Sequence, residues 1–312
     1  MVVAENDTTS AAYGAGDESW CLPRYDDPGF EAELFRLVDA LKPLAYISLN
    51  DYELVKLGEG IGQSLQERGV LVPGVSQEWM RIAADKLLMS KRLVSLGIHT
   101  PVTYLGSDSD GLADLAQASE RMIVKHRFGS ASSGLHVSSG ADLKDAIRSS
   151  AETAMYLEGG EPLDAVIAQP LLPGKEFGVD VVSSLVSPGE FRGVLVREKI
   201  RMRAGETDKA ISTTPDAFQE VGARIAVDTE LRGLLDMDVM VDIHGSPNVI
   251  DINPRFGGGY PFVHLAGADV PLMYLAEALG LETNKSVLEY VPGITSAKFE
   301  GIRLTSAGKD MA

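Results

Sequence analysis

Oxygen-bearing side chains crowd one short stretch of the chain: Asp238-Val239-Met240-Val241-Asp242, then Val249-Ile250-Asp251-Ile252-Asn253-Pro254-Arg255. Polar residues alternate with apolar ones in both runs, which predicts an antiparallel hairpin whose side chains repeat every two residues. Asp251 and Asn253 therefore share a face. A turn centred between Gly245 and Ser246 pairs 238 with 253 and 240 with 251, which brings Asp238 to that face as well. Three oxygen donors with no His or Cys among them suit a hard cation such as Mg²⁺, which keeps some waters and completes its shell with nucleotide phosphates. The competing reading is a polar hairpin facing solvent. The flanking Val249, Ile250 and Ile252, which supply a buried face, and the cation of Arg255 beside the trio bring the metal reading level with it.

A second group of residues has the chemistry of phosphate binding. Lys125 and Arg127 alternate on the strand predicted over 122–127, just before the small-residue loop Gly129-Ser130-Ala131-Ser132-Ser133-Gly134. Free backbone amides at such a hairpin tip are what a phosphate cover requires. It is not a Walker A loop, because Gly-Lys-Ser/Thr never occurs in that spacing. Taken alone, a Gly/Ser loop is equally a plain connector. Lys86, on a helix read through Met80, Ala83, Leu87 and Val94, is equally a solvated lysine. The charge of the molecule gives no help: 45 Asp plus Glu against 28 Lys plus Arg leave a net charge of −17. Such a surface repels nucleic acid and anionic bilayers, so a polyanionic ligand must find its positive contacts concentrated in one pocket.

The elements that must position these residues follow from pattern and punctuation. A chain of 312 residues is more than one core usually holds, and 45% hydrophobic with 23% charged residues is an ordinary globular composition. Residues 1–75 read as parallel α/β material: short apolar runs at 2–4, 45–49 and 70–72 alternate with helical periodicity, and the first βα element of such a unit is missing. Residues 76–112 read as a linking helical segment, 113–172 as a small α+β unit, 173–285 as an antiparallel sheet domain, and 286–312 as a weakly patterned tail. The single Cys21 forbids an intrachain disulfide and points to a reducing compartment. No apolar run approaches the about 20 residues that span a bilayer, and residues 1–19 lack a secretory pattern, so a cytoplasmic location is expected by default.

Taken in chain order, these pieces resemble the ATP-grasp superfamily, in its carbamoyl-phosphate-synthetase-large-subunit-like, carboxylate–amine ligase branch, over nearly the whole chain. The residues that carry the resemblance are Asp85-Lys86, Ile123-Val124-Lys125 with the loop to Gly134, Gln169-Pro170-Leu171-Leu172 followed by Gly174-Lys175-Glu176, and Asp251-Ile252-Asn253-Pro254-Arg255-Phe256-Gly257-Gly258-Gly259-Tyr260-Pro261. It implies an α/β and α+β architecture, an ATP-grasp fold behind an N-terminal, shortened Rossmann-like pre-ATP-grasp domain. It implies ATP with one or two Mg²⁺ ions, Mn²⁺ being an acceptable substitute. Lys86 and Lys125 then hold the ATP phosphates, with Ser130, Ser132, Ser133 and Gly134 as the flap. The backbone of Gln169, Pro170, Leu171 and Leu172 is the adenine hinge, and Glu176 holds the ribose. Asp238, Asp251 and Asn253 ligate metal, and Arg255 stabilises the transferring phosphoryl group. The family more often has Glu where this chain has Asp251, and the shorter arm puts the number of metal ions in question.

The reaction so implied is phosphoryl transfer from ATP to a small carboxylate, such as an amino acid, followed by attack of an amine on the acyl phosphate. Two alternatives stand beside it: phosphorylation of bicarbonate or carbamate, and a non-catalytic ATP-binding regulator or partner subunit. Arg197, Lys199, Arg201 and Arg203 alternate along one predicted strand that runs into 205–209, a stretch read as a mobile loop. This is either a charged, exposed strand edge or a substrate-contacting segment. Related enzymes place a substrate loop here, which makes Arg203 the expected carboxylate clamp. Gly257 to Gly259 with Tyr260 shape the same pocket or make a tight turn. A helix cap is the cheaper account of Asp51, and His126, His136 and His264 read as structural. Expected partners are a small-molecule carboxylate and amine, with no nucleic acid and no membrane; a homodimer is compatible.

Overall fold

The computed structural model describes residues 1–129, 134–154 and 160–304. In the N-terminal unit β1 (Val2–Glu5) pairs in parallel with β2 (Glu18–Cys21). The unit continues through α1 (Phe30–Leu41), α2 (Asp51–Lys56), a π-helical turn over Leu57–Ile61 and α3 (Gly62–Glu67). Leu34, Leu37, Val38, Leu54, Leu57 and Leu65 close its core. The strands expected at 45–49 and 70–72 shrink to a single parallel bridge between Ala45 and Leu71. Tyr46 packs inward there, but Leu44, Ile47 and Leu49 stay exposed, so the run has no second face to bury and no extended sheet forms. The expected Rossmann-like sheet is corrected to these two small pairings.

The linking segment is two helices rather than one. α4 (Gln77–Ala83) is capped by the Ser76 hydroxyl. α5 (Lys86–Ser95) starts afresh at Asp85, whose carboxylate accepts from the amides of Leu87 (3.0 Å) and Leu88 (3.2 Å). An Asp that caps its own helix ends the preceding one, and this places Lys86 in a first helical turn that faces the site.

A four-stranded antiparallel sheet follows, begun by β3 (Tyr104–Leu105) rather than at 113. After α6 (Ser109–Ala118) come β4 (Met122–His126), β5 (His136–Ser138), α7 (Leu143–Ala151) and β6 (Val166–Pro170), in the order β3-β6-β4-β5. Met122, Val124, Val166 and Ala168 pack on Leu115, Leu143 and Ile147 of the covering helices. The strand register pairs Lys125 with Ile167 and Ile123 with Gln169.

The large sheet has the order β11-β10-β7-β8-β9-β12. Its strands are β7 (Lys175–Ser183), β8 (Phe191–Arg203), β9 (Glu206–Thr213), β10 (Leu234–Val241), β11 (Pro247–Asn253) and β12 (Thr295–Ala297). α8 (Gln219–Asp228) and the α4–α5 pair cover one face, where Val179, Val181, Val196, Met237 and Val239 meet Trp79, Met89, Leu93 and Ile225. α9 (Tyr260–His264) and α10 (Val270–Ala278) cover only one end of the other face, against Val182, Leu195 and Leu234. The rest of that face carries polar side chains and opens towards the small sheet. The stretch after Asn284 is more than a tail, because β12 pairs with β9 and forms the sheet's edge.

Candidate functional site

Strand alternation builds the site. Glu176, Gly178 and Asp180 on β7, Arg197 and Lys199 on β8, Asp236 and Asp238 on β10, and Asp251 and Asn253 on β11 all take the face opposite the Val179–Val239 core. The hairpin register is two residues away from the expected one: Asp238 lies opposite Asp251, and Asp236 opposite Asn253. A β-bulge between Asp238 and Val239 and a tight turn that closes on Asp242 account for the shift. A slip of two preserves the face, so Asp238, Asp251 and Asn253 still share one surface, and Asp236 joins them.

The strand cations form a gradient of depth rather than a uniform row. Arg197 is 1% exposed and lies between two carboxylates, with Nη1 donating to Asp180 (2.5 Å) and Nη2 to Asp236 (2.5 Å). Burial opposes the charge on Arg197, but the two aspartates outweigh it. Burial likewise pushes Asp180 up, against the pull of Arg197. Lys199 Nζ bridges Asp238 Oδ1 (2.6 Å) and Glu176 Oε1 (2.7 Å). Burial raises Asp238 in spite of Lys199. Arg203 stands at the far tip of β8, exposed and paired with Glu300 at 2.9 Å, away from this cluster. The predicted mobile loop after it is the start of β9, and β8 is an interior strand, which also removes the reading of a charged sheet edge. Strand alternation carries Arg197 and Lys199 to this face, but two register shifts between Lys199 and Met202 interrupt it before Arg203.

The opposite wall comes from α5 and the small sheet. Lys86 Nζ donates to Gly129 O (2.7 Å) and stands 3.3 Å from Asp251 Oδ1. Burial pushes Asp251 up, yet Lys86 and Lys125 more than reverse that and hold it below the usual carboxylate range. Lys125 is pushed down to about 8 by desolvation; Lys86 adds to that effect, and Asp251, Asp238 and Glu176 oppose it. The small sheet is tied to α5 through Arg127, whose Nε and Nη2 donate to Asp85 Oδ1 (2.8 Å) and Oδ2 (2.6 Å). Ser130, Ser132 and Ser133 lie outside the described residues. Gly134 turns away at φ 61° and packs on His126, where a β-carbon would overlap the imidazole.

On the expected hinge, Gln169 is buried and its Nε2 donates to Thr103 Oγ1 (2.8 Å). The Leu171 amide donates to Arg121 O (3.0 Å), which leaves Pro170 and Leu172 beside it on the strand end. Glu176 is half-buried on β7 and is held by Lys199. Arg255 is half-buried and paired with Asp51 of α2. Asn50, not Asp51, caps that helix, which corrects the expected role of Asp51. Two of the three glycines after Phe256 have a packing reason: a β-carbon on Gly257 would overlap the Asp236 carboxylate, and one on Gly259 the Arg197 guanidinium. The buried Asp180 and Asp236 are what the sequence reading missed, and with them the burial of Arg197. The polar residues at every second position of β7, Glu176 and Asp180 around Gly178, were the available signal.

The donor set can hold a magnesium ion. Asp251 Oδ1 is buried with Lys86 Nζ at 3.3 Å, and Asp238 and Asn253 supply further oxygen on the same face. Among the described residues no group of three or more His, Cys, Asp or Glu is placed to hold a metal ion by itself. The site thus supplies part of a shell, as expected of Mg²⁺ that takes other ligands from phosphates.

A protonated Lys125 is the form that attracts phosphate, and a value of about 8 places its titration near neutral pH. Nucleotide affinity should therefore fall as pH rises from 7 to 9.5, by up to about tenfold per unit above 8, and Lys125→Arg should flatten the profile in a calorimetric titration. The sign for stability is opposite. The folded state binds this proton more weakly than an unfolded lysine at 10.5 does, so the contribution of Lys125 to stability improves between about 8 and 10.5.

Among the described residues no helix is long and apolar enough to cross a membrane. The family described as "ATP-grasp in the biosynthetic pathway with Ter operon" matches residues 163–301. The chain is 22% identical over 300 residues to the carbamoyl phosphate synthase large chain of Thermoanaerobacter sp., covering 92% of this chain and 26% of that one. It superposes on the biotin carboxylase–β,γ-ATP complex of Campylobacter jejuni with a TM-score of 0.71 at 15% identity, covering 93% of this chain and 67% of the other. For the MgADP-bound biotin carboxylase domain of Hydrogenobacter thermophilus 2-oxoglutarate carboxylase the TM-score is 0.70 at 13% identity, covering 93% of this chain and 66% of that one. The L-amino acid ligase of Bacillus licheniformis gives 0.63 at 18% identity, covering 89% and 67%. The chain thus spans about a quarter of its carbamoyl phosphate synthase relative and about two thirds of these solved structures. Structural likeness at these identities establishes the fold, and the family match covers the large sheet that carries the polar face. Residues 163–301 match an ATP-grasp family, and the chain as a whole has the ATP-grasp fold.

Proposed function

We propose that the protein is an ATP-dependent ligase that phosphorylates a small carboxylate, such as an amino acid, and joins the acyl group to an amine. The observation that carries this reading is the meeting of Lys86 with Asp251 at 3.3 Å, in a site that also holds Lys125, Asp238 and Arg255. Phosphoryl transfer needs positioning and cancellation of charge on the equatorial oxygens more than covalent chemistry, and this set supplies both.

Lys86 and Lys125 neutralise the phosphate oxygens from the small-sheet side. Asp238, Asp251 and Asn253 would hold Mg²⁺, which when bound would supply a Lewis acid for phosphoryl transfer. Glu176 accepts from the ribose hydroxyls, and the backbone at Gln169 to Leu172 borders the adenine. Arg255 donates to the phosphoryl group as it passes to the carboxylate oxygen. The amine then attacks the acyl carbon, forming the C–N bond as the C–O bond to phosphate breaks and the amine loses a proton. The acyl phosphate hydrolyses if water reaches it, so the small and large sheets must exclude water between them.

The test is ADP release across a panel of amino acids, offered singly and in pairs with Mg-ATP. Turnover is expected only where both a carboxylate and an amine are present. ADP formation equal in wild type and Lys125→Ala would remove the assigned site, and ADP formation driven by bicarbonate alone would replace the ligase with a bicarbonate-phosphorylating activity.

A further inference from the structure

Arg255 and Asp51 meet where the N-terminal unit touches the large sheet. Asn50 Oδ1 caps α2 by accepting from the amides of Tyr52 (2.9 Å) and Glu53 (3.3 Å), so capping makes no demand on the Asp51 carboxylate. That carboxylate faces Arg255 side-on: Nε donates to Oδ1, and Nη2 donates to Oδ2 at 2.8 Å. Nη1 donates to Phe256 O at 3.0 Å. A guanidinium presents two edges that can each donate a parallel pair of hydrogen bonds. Asp51 takes the Nε/Nη2 edge, and the edge between the two Nη atoms is the one left for an incoming oxyanion.

Asp51 is also firmly placed. Leu54 and Leu57, which follow it along the same helical run, are buried in the N-terminal core, and Tyr46 Oη donates to Glu53 at 2.8 Å. A bidentate pair between a fixed carboxylate and a half-buried arginine restricts the arginine to one orientation.

We infer that Asp51 is a positioning residue for phosphoryl transfer, supplied by the N-terminal unit to aim the outer edge of Arg255 at the phosphoryl group. This rests on the reading of Arg255 as the phosphoryl-binding arginine. The N-terminal unit is then part of the active site and not only a scaffold beside it. The opposing possibility, that Asp51 occupies Arg255 until a substrate carboxylate displaces it, predicts the reverse effect of removing Asp51.

The test uses MgADP with aluminium fluoride, a mimic of the phosphoryl group in flight, on the full chain. Wild type, Arg255→Ala, Asp51→Asn, Asp51→Ala and Asp51→Glu are compared for MgADP affinity, thermal midpoint and retention of the fluoride complex. Asp51→Asn and Asp51→Ala are expected to keep the MgADP affinity and the thermal midpoint while retention weakens about 10- to 100-fold, with partial rescue in Asp51→Glu. In turnover, kcat should fall with little change in KM for ATP. Unchanged or tighter retention in Asp51→Asn, with Arg255→Ala impaired, overturns the positioning role and leaves the site reading intact. Normal retention in Arg255→Ala, or no MgADP binding by wild type, overturns the reading of the site and the inference with it.

Discussion

Replacing Arg197 by methionine is expected to destabilise the protein by about 3–5 kcal/mol, because it strands two buried carboxylates that now share one guanidinium. Asp180 is fully buried, Asp236 nearly so, and Arg197 reaches both at 2.5 Å. Methionine fills most of the volume, so the loss is electrostatic rather than a cavity. Replacing the whole cluster, Asp180→Leu and Asp236→Leu together with Arg197→Met, should recover most of the stability, since an intact buried ion cluster is itself costly to desolvate. The pH dependence carries a sign. Without the arginine, burial leaves Asp180 raised, and a carboxylate raised in the folded state destabilises above its folded pKa and recovers as pH falls through it. Arg197→Met should therefore lose less stability at pH 5 than at pH 8. Urea unfolding at the two pH values checks both statements, and a loss under about 1 kcal/mol would show that the cluster tolerates opening.

The second large effect falls on turnover. Asp251→Asn is expected to lower ADP formation about 10²- to 10³-fold, because a neutral amide neither holds a divalent cation nor balances Lys86 and Lys125. Some stability goes with the lost ion pair to Lys86 at 3.3 Å, although Lys86 retains its bond to Gly129 O at 2.7 Å. Steady-state ADP release as a function of magnesium concentration, with the unfolding midpoint as a control, makes the comparison. Equal turnover in wild type and Asp251→Asn would sink the metal role. The two variants separate what the shared sheet face does: Arg197 holds it up, and Asp251 works on it.

The hairpin and its polar face were legible in the sequence because strand alternation is a local property that survives a register error. The pairing of 238 with 253 was two residues off, yet Asp238 and Asp251 still came out on one side, since a slip of two returns every side chain to its face. Depth was not legible. Arg197 and Arg203 look alike in the alternation, but one lies at the centre of the sheet under α9 and the other at a hairpin tip beside Glu300. Long-range partners were not legible either. Asp51 and Arg255 are 204 positions apart, and nothing in the local pattern of α2 distinguishes a cap from an ion pair across units. The N-terminal strands were overread because short apolar runs look alike whether they pair in a sheet or lie as irregular chain with Leu44, Ile47 and Leu49 outside.

The bridge that Lys199 makes between Asp238 and Glu176 has a wider meaning for how the pocket is loaded. It is a tethered counter-ion, which spares the carboxylates mutual repulsion before any ligand arrives. A divalent cation arriving by itself would have to evict that ammonium and leave it without company in a dry recess. A cation that enters already chelated by a triphosphate brings the anions the evicted ammonium needs. On the proposed reading of the site, the Lys199 bridge would favour joint entry of metal and nucleotide over stepwise capture.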